Sequence, residues 1–244
     1  MTVSTVAPTR LYLMQVAAGV ISMDPPLHMS AGCYLIQMSD GRHILVDSGI
    51  PADWDMPPQM QSVALGHNVI EQLAELGLAP ADIDVLVCSH FDIDHVGCHE
   101  VFTNAELVVQ REQYEVARGG HPRFANGRAH WDHPALRYRL IDGDEEFLPG
   151  VTLLATSGHA PGHQSVLVQL PETGHVLLAI DAVSQERNFT PDRQASPMDD
   201  DEAQLLASTR KLLDLVAREQ VKLVVFHHDG DQWQALKTAP EWYG

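Results

Sequence analysis

The segment His90-Phe91-Asp92-Ile93-Asp94-His95 places four side chains of metal-binding type within six positions. It follows the segment Ile83–Cys88, which is apolar apart from Asp84 and is typical of a strand buried on both faces. A loop at the end of a strand can turn several consecutive side chains inward, whereas side chains within a strand alternate between faces. Imidazole and carboxylate groups suit divalent transition metals. The segment therefore predicts a metal site, and the alternative is a polar turn whose histidines have no such role.

Three further segments carry potential ligands near the ends of apolar strands. Pro161 and Gly162 interrupt any helix in Gly158–His163, so its two histidines cannot share a helix face, and one is expected to bind metal while the other supports it. Asp181 closes the strand Val176–Ile180 and is either a ligand or a helix N-cap. The pair His227-His228 ends the last apolar strand, and spacing does not decide between the two rings. Together with the first motif, these segments predict one site at one sheet edge.

The order of elements predicts an α/β chain. An apolar strand runs into a histidine-containing loop twice, at Val85–His90 and at Leu153–His159. This recurrence predicts two similar halves, about 1–150 and 151–244, whose sheets pack together with helices outside as a single domain, residues 1–244. The predicted strands are Arg10–Val20, Cys33–Gln37, Arg42–Asp47, Ile83–Cys88, Leu107–Gln110, Tyr138–Ile141, Val151–Ala155, Ser165–Leu170, Val176–Ile180 and Lys222–Phe226.

Helices are predicted at Asn68–Leu76, with Gly77 at the C-terminal cap, and at about Arg111–Ala117. The acidic run Asp199–Glu202 is interpreted as the first turn of a helix that ends near Arg218, because acidic groups complement the helix dipole there. The segment Gly119–His133 is polar and is predicted to be a long loop.

Composition excludes several classes of partner. Fifteen lysines and arginines against 33 acidic residues give a formal net charge of −18, which disfavours nucleic acids and anionic membranes. The apolar stretch Leu11–Ile21 is too short for a membrane-spanning helix. Three cysteines fit no even disulfide framework and indicate a reducing compartment, so a cytoplasmic protein is expected. Nothing in the sequence indicates an oligomeric state.

The ordered ligand set resembles that of the metallo-β-lactamase superfamily, and within it the N-acyl-homoserine lactonases. This resemblance covers about Leu11 to Tyr243 and implies a four-layer αβ/βα sandwich of the metallo-β-lactamase type. The stretches that support it are Cys33–Leu35, Ile44–Gly49, Val108–Tyr114, Pro161–Ser165, Val176–Asp181 and Phe226–Asp229.

The resemblance implies two divalent cations and assigns their ligands. The first ligand group is His90, Asp92 and His159. The second ligand group is Asp94, His95 and His228, because the family pattern Phe-x-His-Asp favours His228 over His227. Asp181 then bridges the two cations, His163 falls outside the ligand set, and Asp229 is expected to hold a ligand histidine in its tautomer.

Four departures from the family pattern bear on metal and substrate. Asp92 stands where the family usually has histidine, so zinc is expected but iron or manganese stays open. Ser184 replaces a tyrosine that the lactonases carry three residues after the bridging aspartate. Cys98-His99 replaces a glycine-rich continuation, and the segment Pro51–Gly66 is shorter than in the lactonases.

The resulting hypothesis is a dinuclear metallohydrolase that opens N-acyl-homoserine lactone or a related lactone by attack of a metal-bridging hydroxide. Asp94 is expected to be the catalytic proton carrier, and the apolar loop Met23–Met29 to form a wall for the substrate. One alternative is a di-iron oxidoreductase on the same fold. This alternative is favoured by the carboxylate of Asp92 at the second position of the motif. Others are hydrolysis of another ester or thioester, and a non-catalytic metal-binding or interaction domain.

Overall fold

The computed structural model describes residues 6–22, 26–56, 58–60 and 62–244 and contains two β-sheets. The first is a seven-stranded mixed sheet with the order β4-β1-β2-β3-β5-β6-β7. Its strands are β1 (Pro8–Ile21), β2 (Leu27–Met38), β3 (His43–Val46), β4 (Val63–Leu65), β5 (Val85–Val87), β6 (Glu106–Gln110) and β7 (Arg137–Ile141). Strands β3, β5, β6 and β7 are parallel, so their carboxyl ends meet at one edge.

The second sheet has five strands in the order β12-β11-β10-β9-β8. Its strands are β8 (Glu145–Leu148), β9 (Val151–Ala155), β10 (Gln164–Leu170), β11 (Gly174–Ile180) and β12 (Leu223–Phe226). Strands β11 and β12 are parallel, and β8 to β11 pair antiparallel in sequence order. Each sheet is thus formed by a continuous part of the chain.

Within the described ranges, three hydrophobic clusters arrange these sheets and five α-helices into layers. The helices are α1 (Val69–Glu75), α2 (Arg111–Arg118), α3 (Arg128–Trp131), α4 (Glu202–Arg218) and α5 (Gly230–Trp233). One cluster lies between the sheets, where Leu13 and Ile36 meet Val166 and Leu178. A second cluster covers the other face of the first sheet, and a third packs α4 against the second sheet. The predicted α/β fold, an αβ/βα sandwich, is confirmed.

Helix boundaries follow the local capping chemistry. At α1 the side chain of Asn68 accepts a hydrogen bond from the backbone of Glu71, whose carboxylate in turn accepts one from the backbone of Asn68. Gly77, just past the end of α1, has a φ of 76°, as the prediction of a glycine cap requires. At α4 the acidic run is divided, because Asp201 rather than Asp199 is the N-cap and accepts from the backbone of Gln204.

The structure corrects several predicted boundaries. β2 begins at Leu27, so the end of the predicted Met23–Met29 loop is strand, while Met23 to Pro25 lie outside the described residues. The predicted loop Gly119–His133 contains α3, and it buries Phe124 and Trp131, which the polar composition concealed. Strands β4 and β8 were missed because they are short and largely unburied. Within the described ranges, none of the helices combines the length and apolar character that a bilayer crossing requires.

Candidate metal centre

One carboxylate oxygen lies at the centre of the site. Oδ2 of Asp181 is 3.8 Å from Nε2 of His90, 3.3 Å from that of His95, 3.3 Å from that of His159 and 3.2 Å from that of His228. The structure therefore brings together the residues that the sequence placed at the ends of separate strands. A single oxygen that faces four ring nitrogens is the arrangement expected of a ligand that bridges two cations.

The donor atoms divide into two groups that fit metal ions. Suitable atoms of His90, His159 and Asp181 lie within 4.8 Å of one another, as do those of Asp94, His95, His227 and His228. Among the described residues, Nε2 of His90, Nε2 of His95 and Oδ1 of Asp181 are buried without a hydrogen-bond partner. Buried polar atoms are rarely left unpaired, so these groups fit divalent cations.

The backbone around Asp181 is held in an unusual conformation. Ile180, the last residue of β11, has φ 53° and ψ −129°, and a β-branched residue rarely adopts a positive φ. The chain turns sharply there and enters a 3₁₀ turn at Asp181–Val183. This conformation carries Asp181 out of the sheet at the point where the four imidazoles converge, and such strain is typical of functional sites.

Each of the four imidazoles is oriented through its other ring nitrogen, Nδ1, which lies within hydrogen-bond distance of an oxygen atom. The pairs are His90 with the Ser89 hydroxyl at 3.0 Å, His95 with Asp47 at 2.8 Å, His159 with Asp199 at 2.9 Å, and His228 with the Ser30 carbonyl at 2.8 Å. When Nδ1 donates to an oxygen, Nε2 keeps its lone pair for a cation. All four rings are therefore presented in a form suited to metal binding.

Asp229 does not hold a ligand histidine, and that expectation is wrong. Its carboxylate accepts hydrogen bonds from the backbone N–H groups of Gln232 and Glu186, and it is the N-cap of α5. A carboxylate directly before a helix is drawn to the unpaired N–H groups of the first turn. The Ser30 carbonyl, contributed by β2, takes the place that the sequence assigned to Asp229.

Asp92 is at the site, but it is paired with an arginine. Its Oδ2 lies 3.3 Å from Nε2 of His90 and 3.5 Å from Nε2 of His159. Arg123 donates hydrogen bonds to both carboxylate oxygens, with Nε 2.7 Å from Oδ1 and Nη2 2.5 Å from Oδ2. The same Nη2 is 2.8 Å from Nε2 of His159. The extra negative charge of Asp92, relative to a histidine, is thus matched by the charge of Arg123.

The remaining two histidines of the motifs differ: both ring nitrogens of His163 are paired, whereas among the described residues Nε2 of His227 is buried without a hydrogen-bond partner. In His163, Nδ1 lies 2.9 Å from the Thr156 hydroxyl, and Nε2 accepts the backbone N–H of Asp181 at 3.3 Å. Nδ1 of His227 is 3.2 Å from the hydroxyl of Tyr34, and the ring packs against His95 with 4.4 Å between centroids. Burial and neighbouring imidazoles lower the pKa of both His163 and His227 well below the ordinary value, so both stay neutral.

Charges at the second ligand group outweigh the cost of burial. Burial raises the pKa of a carboxyl, but His228 and His95 hold the pKa of Asp181 well below its ordinary value. Burial lowers the pKa of His95, but Asp94, Asp47 and Asp181 raise it well above its ordinary value.

The site opens to solvent on one side. The side chains of Asp94, His228 and Asp92 are 18%, 17% and 15% exposed, whereas those of His90 and His95 are fully buried. A small molecule can therefore approach Asp94 and His228 directly. The fully buried rings of His90 and His95 lie deeper, behind Asp94 and His228.

The other departures from the family pattern are Ser184, Cys98-His99 and the short segment Pro51–Gly66. The Ser184 carbonyl accepts the backbone N–H of His228 at 3.0 Å and so ties two ligand loops together. His99 is buried with its Nδ1 2.7 Å from the Ser48 hydroxyl, which places it in the packing behind the site. The short segment Pro51–Gly66 contains a 3₁₀ turn at Pro58–Met60 and strand β4, while Pro57 and Gln61 lie outside the described residues.

Sequence reasoning missed three charged residues that contact the site: Asp47, Asp199 and Arg123. Asp47 follows an apolar strand, which is the same signal that identified Asp181. Asp199 was concealed within an acidic run that also caps a helix. Arg123 lies in a polar segment, and no local pattern distinguishes it from a solvent-exposed arginine.

Comparisons with known proteins agree with this geometry. The sequence profile of the Metallo-beta-lactamase superfamily matches residues 30–228. An N-acyl homoserine lactonase of Bacillus cereus is 33% identical over 230 residues, which cover 88% of this chain and 88% of that protein. The N-acyl homoserine lactonase AttM of Rhizobium radiobacter is 36% identical over 190 residues, which cover 72% of this chain and 70% of that protein.

Solved structures show the same relationship. An N-acyl homoserine lactone hydrolase, with the product N-hexanoyl-L-homoserine bound at its catalytic metal centre, superposes with a TM-score of 0.84 and 28% identity. The match covers 97% of this chain and 100% of that one. A variant of Bacillus thuringiensis AiiA with bound N-decanoyl-L-homoserine gives the same score and coverage. On this fold, these ligand loops and these relatives, the chain belongs to the metallo-beta-lactamase superfamily, in the family of the N-acyl homoserine lactonases.

Proposed function

We propose that this protein is a metal-dependent lactonase that hydrolyses the ring of N-acyl-homoserine lactones. The observation that carries the proposal is the position of Asp181, whose Oδ2 faces Nε2 of four imidazoles at 3.2–3.8 Å. The first ligand group would hold one divalent cation, the second ligand group the other, and Asp181 would touch both. Zinc is the proposed metal, because imidazole nitrogens make up most of the donor set.

Two cations at these positions would supply Lewis acidity and a water of lowered pKa. The chain's own contribution is to orient the ligands, exclude water from the deeper half of the site and move a proton. Asp94 is the proposed proton carrier, because its carboxylate is partly exposed and its Oδ2 lies 3.5 Å from Nε2 of His228. It would accept a proton from the attacking water and return it to the alkoxide oxygen that leaves the opened ring.

We propose that the acyl chain of the substrate binds in a cleft near the second ligand group. Strands β1 and β2 line it with Val20 and Met29, and α5 lines it with Trp233. Met29 directly precedes Ser30, whose carbonyl orients His228, and this chain connection supports the placement of the acyl chain in the cleft. Apolar surface of this kind suits a hydrocarbon chain of the length found in the N-hexanoyl and N-decanoyl products bound by the relatives.

Ring opening releases one proton per lactone at neutral pH, so a weakly buffered indicator assay measures it directly. We expect turnover of N-acyl-homoserine lactones by protein purified without chelator, loss of turnover after chelation and recovery with zinc. Parallel assays with a phenyl ester, a thioester and a β-lactam define the reaction class. Absence of metal-dependent turnover on every one of these substrates would contradict the proposal.

The same preparation tests the oxidoreductase alternative. Iron content near one or two atoms per chain, together with oxygen consumption, would favour that alternative over hydrolysis. A cytoplasmic location stays a prediction, which fractionation of the source cells would check.

A further inference from the structure

Arg123 contacts the atoms of Asp92 and His159 that would bind the first cation. Its guanidinium engages both oxygens of Asp92, and its Nη2 lies 2.8 Å from Nε2 of His159. A guanidinium keeps its protons at any relevant pH, so His159 accepts at Nε2 and donates from Nδ1 to Asp199. Two of the three side chains in the first ligand group therefore direct their metal-binding atoms at Arg123.

The position of Arg123 is fixed by packing around it. The neighbouring Phe124 is fully buried and meets Phe91 edge to face, with 6.3 Å between ring centroids. Phe91 lies in the ligand motif between His90 and Asp92. The Nη1 group of Arg123 also donates to the carbonyl of Met198 at 2.6 Å. These contacts place the guanidinium over the first ligand group.

The second ligand group has no such competitor. Among the ion pairs that the described residues form, none joins Asp94 to a lysine or an arginine. Within the described part of the chain, the ion-pair partners of Nε2 of His95 and of Nε2 of His228 are Asp94 and Asp181. The two halves of the site are therefore chemically unequal, although the ligand motifs make them look equivalent.

We propose that Arg123 competes with the first cation for Asp92 and His159, so that the two cations load in sequence. The second ligand group fills first, and the first ligand group fills only when the guanidinium leaves Asp92. When the metal is limiting, the protein then binds one cation, at the second ligand group. Arg123 takes the place of the other cation at the first ligand group. The inference rests on the ligand groups assigned under the proposed function.

Titration of the metal-stripped full-length protein with zinc, against a chelator of known affinity, tests this without substrate. For the wild type we expect two dissociation constants that differ by about 100-fold. In Arg123→Gln the weaker constant should tighten by about tenfold, and the tighter one should stay unchanged. Arg128→Gln is the matched control, because Arg128 is an exposed arginine of α3 paired with Asp132, away from the ligands.

Two equal constants in the wild type would overturn the inference, and so would an Arg123→Gln variant in which zinc binds more weakly. The wild-type titration decides the question even if the variant fails to fold, and Arg123→Met provides a second test of the competition. Sequential loading without lactone turnover would leave this inference standing and remove the proposed function. Lactone turnover together with two equal zinc dissociation constants would support the proposed function and overturn this inference.

Discussion

The carboxylate of Asp47 accepts a hydrogen bond from Nδ1 of His95 at 2.8 Å, and both side chains are fully buried. Asp47 also accepts the backbone N–H and the hydroxyl of Ser89, each at 2.7 Å. Parallel pairing of β3 with β5 brings the ends of these strands together. Asp47 thereby fixes both the tautomer of His95 and the start of the ligand loop.

Replacing Asp47 by asparagine should therefore weaken metal binding without disturbing the fold. Asparagine has the same shape and tolerates the positive φ of 59° at this position. Without the negative charge, His95 is a poorer ligand, and we expect affinity for the second cation to fall by about 10- to 100-fold. Chelator competition measures this, with Asp231→Asn as the control because Asp231 is 75% exposed. Unchanged affinity would show that Asp47 serves packing alone.

Asp181 and His163 should respond differently to truncation, although they lie in contact. Asp181→Ala should lose most activity and at least one cation, because Asp181 faces the ligand atoms of both groups. His163→Ala should keep both cations, because both of its ring nitrogens are engaged by Thr156 and the backbone of Asp181. It should instead lower the free energy of unfolding by about 1–3 kcal/mol, as loss of buried hydrogen bonds does. Metal analysis and urea unfolding separate the two; equal metal loss would contradict the assignment.

The sequence predicted those parts of the site that are encoded locally. The motif His90–His95 is recognisable because one loop contains four potential ligands, and Asp181 because it closes an apolar strand. The strand-end position of Asp47 carries the same signal, but its role depends on its partner His95, which strand pairing brings close. The ends of parallel strands could thus be predicted as a site, whereas individual contacts across them could not.

Arg123 shows where local reasoning fails. Its segment is polar and was predicted to be a loop, yet Trp131 in the same segment stacks on Phe91, with 4.9 Å between centroids and an 8° interplanar angle. That packing brings the segment over the ligand loop, and no residue spacing in the sequence encodes it. The expectation for Asp229 was wrong for a local reason: the N-terminus of α5 directly follows it and binds its carboxylate.

The loop that carries His159 should not tolerate a side chain at Gly162. This glycine has a φ of 66°, and a Cβ there would lie 2.2 Å from the backbone nitrogen of Gln113 in α2. Gly120 is the matched control, because its φ is 90° but a Cβ would meet nothing within 4 Å. We expect Gly120→Ala to cost about 1–2 kcal/mol of unfolding free energy. Gly162→Ala should cost clearly more and also weaken zinc binding; similar costs in urea unfolding would contradict the contact.

The proposed acyl cleft predicts an effect that depends on chain length. Val20 lines the cleft and is 41% exposed, whereas Leu65 on β4 is 45% exposed and lies outside it. Val20→Glu should lower kcat/KM for N-decanoyl-homoserine lactone by about tenfold, as the loss of one or two methylene contacts would. Turnover of the N-butanoyl substrate should change little, and Leu65→Glu should affect neither substrate. Equal losses on both substrates would place the acyl chain elsewhere.

Asp92 and Arg123 should behave as a coupled pair, so restoring the family's histidine alone should not improve metal binding. In Asp92→His the guanidinium keeps its charge but loses its carboxylate partner, and an unpaired cation beside the first ligand group opposes a divalent ion. We therefore expect Asp92→His to bind the first cation more weakly than the wild type.

The double variant Asp92→His/Arg123→Gln removes both charges, and the first ligand group then has three imidazoles that face an unobstructed position. It should bind two zinc ions with similar constants, and tighter than either single variant, since imidazole is a preferred zinc ligand. The four proteins form a double-mutant cycle, and residues in direct contact typically show a coupling energy of about 0.5–3 kcal/mol. Additive effects on the weaker zinc constant would mean that Asp92 and Arg123 act independently of each other on the first ligand group.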